Sequence, residues 1–294
     1  MANLRDIKTR IGSVKTTRQV TSAMKMVSAA RLKKAQDNIS HIRPFTSRLA
    51  GIIQDLASAR EHTLCSDCSV PNGTEGAVLV LAIASNRGLC GGFNVNVVKE
   101  VQTLLSTTLK EELRNGNVLL GVMGKQAAKM FKSRNIGIDF IYHDKLTTPT
   151  YASISEFANE LMADFRKGEL KQVILVYNEF VNAAVQEVQI NQFLPFSIPE
   201  QPKDGVLMDY IIEPDPATII QQLVPKMLQS MMYQVVLESA ASEHGARMTS
   251  MHKATDNATD LIRDLELSYN KARQTAITNQ IVEITGGAEA LSKG

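Results

Sequence analysis

Three groups of residues have the types from which a reactive or ligand-holding site is built. The stretch SNRGLCGGFN, Ser85 to Asn94, lies between an apolar run and a helical pattern, where nucleotide-binding folds place a phosphate-cradling turn. Its glycines, Gly88, Gly91 and Gly92, miss the GxGxxG spacing, and Gly124-Lys125-Gln126 lacks the preceding glycine and the following hydroxyl of a P-loop. Glycines serving a tight strand-to-helix turn are the leading reading, and a cryptic ligand site is the alternative. Cys65-x-x-Cys68 has the spacing of half a zinc site, but Cys90, His41, His62, His143, His244 and His252 supply no second close pair. Loop thiols are expected instead. Glu243, His244 and His252 do not form HExxH and are expected as exposed helix residues. No Ser/His/Asp signature stands out, so the residues point to a chain that makes and breaks no bonds, with no cofactor and no metal.

The elements that would position these residues fall into three parts. Leu4, Ile7, Ile11 and Val14, then Met24 and Val27, recur at steps of three and four, which predicts one long helix from about residue 3 to 43. Leu49, Ile52, Ile53 and Leu56 extend the pattern past Pro44, where a kink is expected. A turn-rich loop follows at 61–76. From residue 77 short apolar strands alternate with helices: strands at 77–84, 118–123, 139–142, 172–178 and 184–194, and helices at 91–114, 125–133 and 153–167. The alternation predicts a Rossmann-like α/β domain with a largely parallel sheet, ending in a hairpin and proline-bearing turns near 205. A second long helix starts at Asp215 as cap and Pro216 as first helical residue. Its stripe runs Ile220, Leu223, Met227, Met231, Val235, then Met251, Ala254, Ala258, Leu261, Leu265, Tyr269 and Ala272, close to a coiled-coil period. Pro225 and Gly245 are its weak points. Roughly 70 residues at about 1.5 Å each give a rod on the order of 100 Å, which needs a partner to bury its stripe. Four regions are therefore expected: a shaft helix over 1–60, a loop over 61–76, an α/β domain over 77–205, and a second shaft helix over 206–294. The two shaft helices should pair as an antiparallel coiled coil.

The composition of the 294 residues fits such a plan. Hydrophobic residues make up 44%, yet aromatics are 5%, Trp is absent and Met occurs 12 times, which suits thin helix interfaces. The net charge of +2 conceals an asymmetry, because residues 1–48 carry 11 basic and 2 acidic side chains. That +9 segment suits an acidic protein partner, a solvated face or, less readily without interleaved aromatics, nucleic acid. The longest apolar run, Ala77 to Ala84, is far shorter than the roughly 20 residues of a membrane span, so a soluble protein is expected. Three cysteines suit a reducing compartment.

Four separated blocks carry a likeness to a known family. LRDIKTRIGSVKTTRQVTSAMKMVSAARLKKAQ, SNRGLCGGFN, DYIIEPDP and RMTSMHKATDNATDLIRDLELSYNKARQTAITNQIVEITGGAEAL occur in order over nearly the whole chain and resemble the gamma subunit of F-type ATP synthases. The resemblance implies a non-catalytic central rotor stalk whose partners are the alpha and beta subunits, the epsilon subunit and the ring of c subunits. It implies a peripheral place at the cytoplasmic face of a bacterial inner membrane. It also implies contacts of Met24, Arg273, Gln274, Thr278, Gln280 and Glu283 with a beta subunit, Gln280 standing where the family commonly has an acidic residue. Ile281, Val282, Ile284, Ala288 and Leu291 would form an apolar bearing, and Tyr210, Ile212 and Glu213 would meet the c-ring. At the level of residues two other classes stay open. A Rossmann-type enzyme with helical dimerisation arms would bind nucleotide as an isolated chain, and a coiled-coil scaffold on nucleic acid would lose binding steeply with salt.

Overall fold

The computed structural model describes residues 4–58, 68, 76–142, 149–197, 213 and 215–292. In chain order the elements are α1 (Leu4–Ser58), β1 (Ala77–Ile83), α2 (Phe93–Ser106), α3 (Lys110–Arg114), β2 (Val118–Met123) and α4 (Lys125–Ser133). They continue as β3 (Phe140–Ile141), α5 (Tyr151–Arg166), β4 (Leu170–Phe180), β5 (Gln186–Leu194) and α6 (Pro216–Ser292). The expected helix over 91–114 is two helices, because α2 is capped at Thr107, whose amide donates back to Thr103. Pro44 and Pro225 both lie inside continuous helices, so neither ends its element. The chain divides into two compact units, Met1–Val27 with Met248–Gly294, and Ser28–Arg247.

In the larger unit the sheet has the order β3-β2-β1-β4-β5. β1 pairs in parallel with β2 and β4, β2 pairs in parallel with β3, and β5 returns antiparallel on β4. β1 explains why both faces are covered. Val78, Val80 and Ala82 face one layer with Val97, Val98 and Val101 of α2 and Phe131 of α4, while Leu79, Leu81 and Ile83 face the other. That second layer holds Ile154, Phe157, Leu161 and Phe165 of α5, and also Leu49, Ile53 and Leu56 of α1 with Val224, Leu228, Met232 and Val236 of α6. Parts of both long helices are thus built into the core of the α/β unit. Each fully buried side chain of this size contributes about 1.5–3 kcal/mol. The amino end of α6 is fixed as its sequence predicts, since the Thr218 amide donates to Asp215 Oδ1 at 2.9 Å and the Thr218 hydroxyl to Oδ2 at 2.7 Å. These bonds hold the Asp215 carboxyl below its ordinary value.

Within this unit α1 and α6 also meet through charge. Glu238, 1% exposed, accepts from Arg43 Nε at 3.0 Å and from Gln234 Nε2 at 2.8 Å. Arg43 Nη2 donates to the Phe180 carbonyl at 3.1 Å, and the bond to Glu238 raises the Arg43 pKa. Three elements are tied by one guanidinium.

In the smaller unit α1 and α6 run antiparallel. Lys15 Nζ lies 2.9 Å from Glu266, Thr255 Oγ1 donates to Thr21 Oγ1 at 2.9 Å, and Lys25 Nζ is 3.5 Å from His252 Nδ1. The inward positions of α1 keep alternating steps of three and four at Leu4, Ile7, Ile11, Val14, Arg18, Thr21 and Lys25. The apolar stripe expected through Met24 and Val27 is therefore not the seam. Val27 is 54% exposed and Met24 half-buried, because keeping the period brings polar Thr21 and Lys25 inward instead. On α6 the same correction applies to Leu261, 37% exposed, whose place in the seam is taken by Ile262 at 6%.

Replacing Arg43 with Met strands the buried Glu238 carboxylate, and a loss of about 2–4 kcal/mol is expected in urea unfolding. The double variant Arg43→Met/Glu238→Leu should recover most of that loss. A single variant as stable as the parent would contradict the role given to this pair.

Candidate functional site

The two sequences with phosphate-binding character lie against each other, and they consume each other's hydrogen-bonding groups. The Lys125 amide donates to Asn86 Oδ1 at 3.1 Å and the Gln126 amide to the Ser85 carbonyl at 3.1 Å. The amino-terminal turn of α4 therefore spends these donors on the turn after β1 rather than offering them to an anion. Gly124 has φ +121°, and a Cβ there would lie 2.6 Å from the Ala84 carbonyl oxygen, so glycine is required by the close approach of the two segments. Inside the turn, Asn94 Oδ1 accepts from the Ser85 amide and hydroxyl, both at 2.9 Å, while Asn94 Nδ2 donates to Cys90 Sγ at 3.1 Å. Gly91 has φ +57°, and so, unusually, does Leu89 at +63°. Burial pushes the Cys90 thiol up, which favours its protonated form.

The other side of this turn is closed by α6. Arg247, 6% exposed, donates from Nε to the Gly88 carbonyl at 3.2 Å and from Nη2 to the Arg87 carbonyl at 3.0 Å. Its Nη1 lies 2.7 Å from Glu243 Oε1. His244, expected as exposed, is half-buried beside Arg247, with Nδ1 3.4 Å from Nη1. Nothing in the sequence pattern marks Arg247, apart from a basic residue standing in the small and apolar run SAASEHGARM. Among the described residues no group of three His, Cys, Asp or Glu is placed to hold a metal, and no helix is long and apolar enough to cross a membrane.

In the smaller unit the notable surface is the end of α6. This helix continues 26 residues past Glu266, whereas α1 has only 11 residues before Lys15, so about 15 residues at the end of α6 face nothing of α1. Ile281, Val282, Ile284 and Leu291 there are 56%, 62%, 71% and 86% exposed, and Ala288 is exposed with them. Arg273, Gln274, Thr278, Gln280 and Glu283 are exposed on the same stretch, while Ala272 and Ala276 turn partly inward. Met24 neighbours a shallow groove of about 490 Å³ lined by Arg18, Gln19, Ser22, Ala23, Met26, Thr255 and Thr259. Val20 and Met26, also apolar, are 53% and 65% exposed. Glu213 is exposed; Tyr210, Ile212 and Cys65 lie outside the described residues. Cys68 is buried, and its carbonyl accepts from the Phe196 amide at 2.8 Å.

In chain order a long helix, a five-stranded, mostly parallel sheet with its helices, and a second long helix define an α/β class with long helical termini. Solved structures of this architecture include a chain of the Euglena gracilis mitochondrial ATP synthase, 20% identical, with TM-score 0.65 over 98% of this chain and 94% of that one. A chain from the Tetrahymena thermophila mitochondrial ATP synthase gives TM-score 0.54 at 21% identity, over 80% and 99% respectively. In sequence, the family described as ATP synthase matches residues 3–291. The ATP synthase gamma chain of Flavobacterium johnsoniae is 43% identical over 99% of this chain and 100% of its own length. That of Christiangramia forsetii is likewise 43% identical, over 99% and 100%. The chain belongs to the ATP synthase gamma chain family.

His244 gives the site a pH signature. Burial, together with the Arg247 and Arg31 charges, lowers its imidazole from 6.5 to about 4. The unfolded chain therefore takes up this proton near pH 6.5 and the folded chain only near pH 4, so stability falls as the pH drops through that window. Glu243, raised by burial, acts in the opposite sense. Thermal unfolding of the parent should consequently fall more steeply from pH 6.5 to about 4 than that of His244→Gln, and equal slopes would refute the assignment.

Proposed function

We propose that this chain is the central rotor stalk of a bacterial F-type ATP synthase, coupling rotation of a membrane ring of c subunits to conformational cycling of the catalytic beta subunits. The observation that carries the reading is the apolar end of α6, which leaves its α1 partner behind and keeps Ile281, Val282, Ile284 and Leu291 in solvent. A helix end of that composition calls for an apolar sleeve, and in this reading a ring of alpha and beta subunits supplies it. Arg273, Gln274, Thr278, Gln280 and Glu283 then give polar contacts to one beta subunit at a time, and Met24 lies against a beta loop beside the basic face of α1. Tyr210, Ile212 and Glu213 belong to the foot that meets the c-ring near the epsilon subunit. The shaft consists of 1–60 paired with 206–294, the α/β domain of 77–205, and the connecting loop of 61–76. The chain is non-catalytic and peripheral, held at the cytoplasmic face of the inner membrane through the complex.

The physics required is modest. An asymmetric axle shows a different face to each of three surrounding sites, so each is held in a different conformation. Taking a two-state site from mostly open to mostly closed needs about 5.5 kcal/mol of differential contact. A few charge-assisted hydrogen bonds with apolar packing reach that magnitude.

Deleting residues 278–294 removes the unpaired end and leaves the paired region intact. The shortened chain should stay folded and still copurify with the complex at one copy, while protons pumped per ATP hydrolysed fall several-fold. Full coupling in vesicles with the deletion, or failure of the intact chain to copurify at all, would overturn the reading.

A further inference from the structure

An α/β sheet in which β1 is flanked by β2 on one side and β4 on the other has a crevice beyond the carboxyl ends of β1 and β4, where such folds receive their ligands. In this chain the crevice is filled by a length of its own α6. A Cβ on Gly245 would lie 3.3 Å from both Cα and O of Ala183, just past β4, so the helix backbone comes as close as a side chain allows. Ala246 packs with Cys90 and Phe93 at the glycine-rich turn after β1. Arg247 then closes the joint by donating to two successive carbonyls of that turn while paired with Glu243.

We infer that this filled crevice is the joint that transmits torque within the subunit, and that Arg247 is its positioning residue, pinning α6 so that the helix and the sheet turn as one body. The inference rests on the rotor reading above. Apolar contacts alone are non-directional, so a helix held by them re-seats after rolling about its axis. A guanidinium has a planar fork whose donors match their acceptors in one orientation only. A roll of α6 by one residue would break both carbonyl bonds and leave two donors of a 6%-exposed guanidinium without their acceptors, which is costly even though Glu243, on the same helix, moves with it. The gripped carbonyls belong to Arg87 and Gly88, directly before Leu89, whose φ of +63° is a conformation a leucine keeps only where its surroundings impose it. The clamp on one side of that residue and the Asn94 network on the other supply the constraint.

The test uses the full chain, alone and in the assembled complex in vesicles. In the isolated chain, amides of residues 86–92 should exchange about tenfold or more faster in Arg247→Met than in the parent. In the complex, Arg247→Met should retain ATP hydrolysis while protons pumped per ATP fall several-fold, and Arg247→Lys, which keeps the charge without the fork, should fall between. Adding Ala246→Cys to Arg247→Met places a thiol against Cys90. Oxidation with diamide should then restore the pumping ratio by a covalent tie, and dithiothreitol should abolish the rescue, which a defect of folding or assembly would not allow. Unchanged exchange, parental coupling in Arg247→Met, a disulfide that does not form, or oxidised and reduced forms that pump alike would each overturn the joint. Failure of the parent chain to copurify would instead count against the rotor reading, and exchange in the isolated chain would still decide whether Arg247 clamps the turn.

Discussion

The constraint on which the structure depends is that a long helix must keep one narrow stripe turned inward, whatever that stripe meets. In α1 the inward positions step by three and four through the whole element, from Leu4 to Leu56. In the smaller unit that stripe meets α6 alone, and in the larger one it enters a layer shared with α5 and the sheet. The geometry of the stripe is the same in both settings, but its chemistry is not. Leu49, Ile53 and Leu56 are apolar because a thick core surrounds them, while Thr21 and Lys25 are tolerated because a two-helix seam leaves their polar ends near water.

Buried charge is used at two places, and in both it links α6 to something else. Arg43 joins Glu238 to the Phe180 carbonyl, and Arg247 joins Glu243 to the turn after β1. Apolar residues would pack at either position with less desolvation cost. What the arginines add is direction, since each fixes the rotation of a helix that van der Waals contact alone would leave free to re-seat. Asn178 Oδ1 and Ser242 Oγ, buried without a hydrogen-bond partner among the described residues, show that this unit tolerates polar strain as well.

The sheet was legible in the sequence because each strand is a short apolar run bounded by turn formers, and β1, β2 and β4 follow the expected order and limits closely. The amino end of α6 was equally plain, since Asp215 and Pro216 have roles that local chemistry alone dictates. Less legible was the seam of the helical pair. Met24, Val27 and Leu261 are apolar at nearly the right spacing, and only the strict period of α1 and α6 shows that Thr21, Lys25 and Ile262 take the inward places. The Arg247 clamp was hidden for a different reason. Its acceptors are backbone carbonyls about 160 residues away in sequence, and a carbonyl leaves no trace in composition or pattern.

The polar seam also acts as a ruler. Two helices joined only by leucines can slide by a heptad and still bury the same kind of surface, whereas the Thr21–Thr255 and Lys15–Glu266 pairs match in one alignment only. A slip of seven residues would move the end of α6 by about 10 Å relative to the start of α1. The distance by which the apolar end of α6 overhangs its partner is therefore set far from that end, by these polar pairs together with the Arg43–Glu238 pair that ties the same two helices.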